Sequence, residues 1–291
     1  MRAGRPSGRV HPALRLVRAG NLGVSFVGTL VGGLVARGEG VSIPTGLWVF
    51  LLLAGASTAL VTAGGNVLND LLDIEGDRLN HPDRPLVTGE ISVPSARVFA
   101  ALLFVFGAVV VIPVALVEPL VAVILVLAVA LLLAYEFRFK QAGFVGNLVV
   151  AFLTGVVFIY GAAAAGNAIV LVPFGAMAFL ATLSREVIKD MEDVAGDVGR
   201  RTLPQRRGLG AASGVARASV LGGIALSAVP FLWFVTLASG VGIIYLVLVG
   251  AADVIFGVSI WHLPDRLHYE QTMSKVAMTV ALFAFLAVAF R

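Results

Sequence analysis

A chain of 291 residues with 59% hydrophobic and 13% charged side chains and a mean hydropathy of +0.98 is excluded from the soluble globular class, in which about 25% of residues are charged. The absence of cysteine excludes disulfides, thiolate metal centres and thiol chemistry. The formal charge of +4 does not mark a nucleic-acid binder, because the basic residues sort by topology.

Residues 1–12 are polar and basic and are expected to be a disordered tail; residues 13–291 are expected to form a single transmembrane domain. No cleavable signal peptide is expected, since the basic start runs directly into a full-length apolar span. Nine apolar spans follow, at about 13–36, 45–69, 94–116, 118–136, 143–164, 168–190, 212–237, 240–262 and 272–290. Each can cross a bilayer core as a helix. Strand-type alternation is absent, so the expected class is all-α and polytopic, with nine transmembrane helices.

The segments after spans 2, 4, 6 and 8 are charged, whereas those after spans 1, 3, 5 and 7 are short and nearly uncharged. Of the 21 Lys and Arg residues, 19 lie at the N-terminus or in and beside the even segments; only Arg37 and Arg291 fall on the other side. The positive-inside rule therefore predicts a cytoplasmic N-terminus, cytoplasmic even loops and an external C-terminus. Trp48, Trp233 and Trp261 fall near span ends, where interfacial aromatics belong.

Two acidic stretches on the expected cytoplasmic side read as one feature written twice. Asn66, Asp70, Asp73 and Asp77 recur at i, i+4, i+7 and i+11, and so do Glu186, Asp190, Asp193 and Asp197. On a helix that spacing lines each set along one stripe. Like charges so placed weaken a helix, so something positive is expected between the stripes. Hard carboxylate and amide oxygens suit Mg²⁺, which is held by one or two carboxylates plus substrate phosphates. A basic loop with proline follows each stripe: Arg78 to Pro85, and Arg200 to Arg207. These loops either pair with phosphate or neutralise the stripes. The 120-residue offset suggests two parallel pseudo-repeats, with motif loops near 66–93 and 186–211, which puts both stripes on one side. Ionisable groups in or beside spans are functional candidates. A lipid diphosphate clamped through Mg²⁺ at a membrane cavity points to prenyl transfer.

These motifs on a nine-span chain resemble the UbiA superfamily of intramembrane prenyltransferases. Arg18 to Asn21, Tyr135 with Lys140, Gly146 to Gly155 and Ser184 to Asp193 most resemble its ether-lipid branch. The resemblance implies nine helices around a central cavity, capped by cytoplasmic loops. It implies Mg²⁺ as cofactor, held by Asn66, Asp70, Asp73, Asp77, Asp190, Asp193 and Asp197. Asp70, Asp73, Asp190, Asp193, Lys140 and Tyr135 are the implied catalytic set. Substrate would be bound by Arg18, Asn21, Arg78, Arg84, Lys140, Asn147, Arg185 and Lys189. The implied substrates are geranylgeranyl diphosphate as donor and the sn-2 hydroxyl of geranylgeranylglyceryl phosphate as acceptor, in a lipid membrane.

Plainer readings stand beside several of these. Lys140 and Arg18 also serve as topology signals, Tyr135 as an interfacial ring, and Asn147 as a helix N-cap. His81 reads as a loop residue and Asp253, mid-span, as a group pairing across helices. An aromatic acceptor on the same fold, as in quinone synthesis, is the nearest rival activity. A divalent-cation transporter is the rival of a different class, although it would place polar groups nearer the midplane.

Overall fold

The computed structural model describes residues 11–37, 45–194 and 202–291. Most of the expected tail, the ligand candidate Asp197, and Arg200 and Arg201 of the second loop lie outside them. The helices are α1 (Pro12–Val17), α2 (Ala19–Ala36), α3 (Thr45–Leu72), α4 (Ile74–Asn80), α5 (Pro85–Thr88), α6 (Val93–Val110), α7 (Ile112–Ala115) and α8 (Pro119–Ala134). After a π turn at Tyr135–Phe139 come α9 (Phe144–Ala164), α10 (Val172–Glu192), α11 (Leu203–Leu226), α12 (Pro230–Trp233), α13 (Gly240–Trp261) and α14 (Leu267–Val288). Among the described residues, nine helical segments are long and apolar enough to cross a membrane, as expected from the sequence. The chain is an integral, multi-pass, all-helical membrane protein.

Three local features depart from the simple apolar spans. The first span is cut at Arg18, the only non-glycine residue with positive φ among the described residues (φ 55°, ψ 66°). A left-handed side chain costs roughly 1–2 kcal/mol, so surrounding contacts hold it there. The seventh span starts at Leu203, well before the expected 212. Its polar first turn was invisible to hydropathy, yet it opens on Pro204 and on a Thr202 N–H donating to Gln205 Oε1 at 3.1 Å. A non-helical Gly208 (φ 81°, ψ 164°) then kinks it. Finally, α3 stops at Leu72, because Asp73 leaves helical geometry (φ −101°, ψ 7°) and the chain restarts as α4. The first acidic stripe is thus split over two helices rather than running along one.

Lipid gives helices little hydrophobic reason to associate, so close packing of small residues and interhelical hydrogen bonds must hold them. α9 is the central helix and packs on both α2 and α10. A Cβ added to Gly161 would lie 1.9 Å from the Thr29 carbonyl oxygen, and one added to Gly32 would lie 2.2 Å from that of Phe158. Only glycine permits this approach. Beside the crossing, Tyr160 of α9 donates to Ser57 Oγ of α3 (3.1 Å), which donates to the Gly107 carbonyl of α6 (2.6 Å). Edge-on contacts of Phe285 with Phe158 and Phe174 tie α14 to α9 and α10. Arg291 donates to the Val35 carbonyl at 3.0 Å, which joins the end of α14 to α2. Gly161→Ala is expected to destabilise the fold by about 3 kcal/mol, since backbone rather than a side-chain tip must move. Thermal unfolding in detergent checks this, and an unchanged midpoint would mean that the helices have room.

Candidate active site

The acidic motifs lie at the C-terminal ends of α3 and α10, at one end of the bundle. Asp73 and Asp77 from the first, and Glu186 and Asp193 from the second, line one cavity of about 1390 Å³. The same cavity is lined by Arg18, Asn21, Asn66, Arg84, Tyr135, Lys140, Arg185 and Lys189. Its deeper wall is apolar, including Leu125, Leu132, Val157, Met177, Phe256, Leu282 and Phe285. It exceeds the roughly 300–1,000 Å³ of a drug-sized pocket.

The cations already have partners. Arg18 donates to Asp70 Oδ1 at 2.5 Å and to Asn69 Oδ1 at 3.2 Å. Arg84 donates to Asp70 Oδ1 at 3.0 Å and to Asp77 Oδ2. Thus the first basic loop neutralises the first stripe, one of the two roles expected for it. The left-handed Arg18 sits where α1 meets α2, and its guanidinium reaches the buried Asp70 carboxylate. Arg15 of α1 also donates to the Glu90 carboxylate, which holds that pKa below its ordinary value. Lys140 Nζ donates to Asp73 Oδ2 at 2.5 Å and to Glu136 Oε2 at 3.3 Å.

Several expected residues stand elsewhere. Asp70 is 2% exposed and lies behind the cavity wall, where its oxygen holds two arginines. Asp190 lines a small neighbouring recess and accepts from Asn147 Nδ2 at 2.7 Å. Asn147 is therefore not the helix cap; Gly143 occupies that position, at φ 64° and ψ −119°. Arg78 is exposed, pairs with Glu75 at 3.4 Å and does not reach the cavity. Asn66 lines the cavity while its amide donates to the Val17 carbonyl at 2.8 Å. His81 also lines it, and Asp253 does so while accepting from Ser227 Oγ at 2.7 Å.

Two residues were missed. Glu136 is buried and accepts from Asn69 Nδ2 at 3.0 Å as well as from Lys140. An acid inside an otherwise apolar span, four residues before a lysine, was the available signal. Asn69 links Arg18 to Glu136, so that Arg18, Asn69, Glu136, Lys140 and Asp73 form one connected network. The π turn makes this possible. The Lys140 N–H bonds to the Tyr135 carbonyl, five residues back, and both side chains face the cavity.

The donor set fits a hard divalent cation. Asp73, Asp77 and Asp193 carboxylates and the Asn66 and Asn69 amides supply only oxygen ligands from the protein. Among the described residues no three His, Asp or Glu side chains converge on one point. Mg²⁺ is characteristically held by one or two carboxylates and completed by phosphate oxygens rather than by an all-protein cage.

Comparison with known proteins agrees. The sequence pattern of the UbiA prenyltransferase family matches residues 25–288. A digeranylgeranylglyceryl phosphate synthase of Methanoculleus marisnigri is 38% identical over 249 residues, 84% of this chain and 86% of that one. The enzyme of the same name from Haloquadratum walsbyi is 39% identical over 286 residues, 96% and 94% of the two chains. A solved structure described as concerning digeranylgeranylglyceryl phosphate synthase in membranes has a TM-score of 0.76 at 28% identity, covering 96% of this chain and 97% of that one. A UbiA homologue from Archaeoglobus fulgidus bound to GPP and Mg²⁺ shares the fold, with a TM-score of 0.63 at 19% identity over 94% of this chain and 99% of that one.

Proposed function

The chain belongs to the UbiA prenyltransferase family and is a membrane prenyltransferase, and on that premise we propose that it transfers a geranylgeranyl group from geranylgeranyl diphosphate to the sn-2 hydroxyl of geranylgeranylglyceryl phosphate. The observation that carries this is one cavity with carboxylates of both motifs at its polar end and an apolar wall beyond. The relatives named for this synthase at 38% and 39% identity support the acceptor. With the positive-inside pattern, the polar end faces the cytoplasm.

Asp73 and Asp77 on one side and Asp193 on the other would hold magnesium, one or two carboxylates to an ion, and the metal would supply neutralisation of the charge that builds on the diphosphate leaving group. Lys140 and Arg84 add charge-assisted hydrogen bonds to the diphosphate. Asp70 acts from behind by aiming Arg18 and Arg84, and Asp190 by fixing Asn147 beside the second motif. The C1–oxygen bond of the donor breaks and its electron pair leaves with diphosphate. The acceptor oxygen then bonds to C1, giving an ether and inorganic diphosphate. Its proton passes to a carboxylate of the second motif or to the departing diphosphate. Tyr135 lines the cavity, where the π face of its ring would favour developing positive charge. The apolar wall keeps water from the allylic cation.

The test is turnover of membranes containing the protein with labelled geranylgeranyl diphosphate and either acceptor. Product is expected only with geranylgeranylglyceryl phosphate, and EDTA is expected to abolish it until Mg²⁺ is restored. Transfer to 4-hydroxybenzoate instead would move the reading to quinone synthesis.

A further inference from the structure

Most basic residues on the cavity are committed to carboxylates: Arg18 to Asp70, Arg84 to Asp70 and Asp77, Lys140 to Asp73 and Glu136, and Arg185 to Glu186. Lys189 and Lys275 also line the cavity, and neither has a carboxylate within ion-pair distance among the described residues. Lys275 lies about two turns into α14, where the polar opening of that helix gives way to its apolar length.

The packing of α10 on α14 sets the two lysines at a similar depth. At the polar end, His268 Nδ1 and Gln271 Nε2 of α14 contact Glu192 of α10 at 3.0 and 3.2 Å. One turn further into the membrane, each helix presents a lysine: Lys189 three residues before Glu192, and Lys275 four residues after Gln271. Below Lys275, Met278, Thr279 and Leu282 also line the cavity, at the i+3, i+4 and i+7 spacing of one helix face. Below Lys189, Ala178, Ala181 and Met177 do so from α10. Lys275 and Lys189 thus stand above a mainly apolar strip, Lys189 also sharing a small recess with Lys140 while Lys275 lines only the main cavity.

We propose that Lys189 and Lys275 form a phosphomonoester site, which receives the headgroup of the acceptor lipid while the acceptor's chain lies along the strip between α10 and α14. A phosphomonoester carries about −1.5 to −2 charges at neutral pH, so two lysines balance it without a metal. The acid-paired cations are left to the diphosphate. This assignment rests on the proposed glycerol-phosphate acceptor, and its test is built to fail separately from that reading.

The probes are geranylgeranylglyceryl phosphate and its dephosphorylated alcohol, with binding to the detergent-solubilised full chain measured by native mass spectrometry or calorimetry. The protein is expected to hold the phosphate form about tenfold more tightly than the alcohol, and Lys275→Gln to abolish that preference. In turnover, Lys275→Gln is expected to raise the acceptor KM about tenfold, with the donor KM within about twofold of the parent, and Lys275→Arg to recover most of the loss. The unchanged donor KM doubles as the check that the variant is folded. A raised donor KM with an unchanged acceptor KM would assign the lysine to the diphosphate and overturn the site. So would an unchanged preference for the phosphate form, which is the outcome if Lys275 only extends its stem toward the interface. Saturation by inorganic phosphate at the concentrations needed for the lipid would also overturn it, since the lipid chain would then contribute nothing. If Lys275 governs phosphate binding but the parent protein makes no ether from this acceptor, the acceptor assignment fails while the anion site stands.

Discussion

Alanine in place of Asp73 or of Asp193 is expected to lower prenyl transfer by about 10³-fold or more, with protein still inserted and extracted in normal yield. Both carboxylates stand just beyond a helix end, Asp73 after α3 and Asp193 after α10, so neither is part of a packed interior. The Asp73 side chain keeps 30% of its surface accessible, and its loss leaves no cavity in a core. On the proposed reading, what it removes is a ligand of the magnesium that meets the transferring diphosphate. Asp70 makes a poorer test, because Asp70→Ala would strip the shared partner from Arg18 and Arg84 and confuse folding with chemistry. Initial rates at saturating donor and Mg²⁺ settle the matter. Activity within tenfold of the parent for either variant would end the two-motif account of diphosphate binding.

Lys140→Met should cost roughly 10²-fold in kcat/KM, and Lys140→Arg distinctly less. The lysine is the cation that joins the network from Glu136 to Asp73, and its side chain is 10% exposed. On the proposed reading, removing the charge takes a hydrogen-bond donor from the diphosphate, and it leaves Glu136, 3% exposed at its side chain, with Asn69 as its remaining side-chain donor among the described residues. A Lys140→Met, Glu136→Gln double variant is expected to lose less than the product of the single losses, because the two side chains share one contact. Strict additivity would place Lys140 outside the network. A loss below about fivefold in the single variant would remove it from diphosphate binding altogether.

The spans were legible because a bilayer demands about 20 apolar residues per crossing, a signal that survives almost any packing detail. The acidic stretches were legible for a related reason, since carboxylates are too costly beside a membrane to stand there idly. Facing was the part left hidden. Ideal helical spacing puts Asn66, Asp70, Asp73 and Asp77 on one stripe, but α3 ends at Leu72, and Asp77 enters from a separate helix. Asp70 then turns to two arginines, one 14 and the other 52 residues away in sequence. No local pattern encodes such long-range pairing. Asn147 is similar: beside a helix start it reads as a cap, yet its partner is Asp190, 43 residues on. The polar first turn of α11 was hidden because hydropathy marks only the apolar length of a helix. Glu136 was hidden because its partner Asn69 lies 67 residues away, although its i,i+4 spacing to Lys140 was there to be read.

The π turn bears on which changes the stretch from Tyr135 to Lys140 tolerates. In an ordinary α-helix, residues five apart sit about 140° from each other around the axis, and the ring and the ammonium would look in different directions. The wide turn closes that gap by accommodating one surplus residue. Side-chain identity there is therefore only half of the constraint; the other half is spacing. Deleting a single residue between the two would return the stretch to an ordinary helix, with the ring and the ammonium about 40° from each other and still on one face. One inserted residue in a helix of ordinary pitch would part them by about 120°, a defect that no replacement side chain at either position can mend.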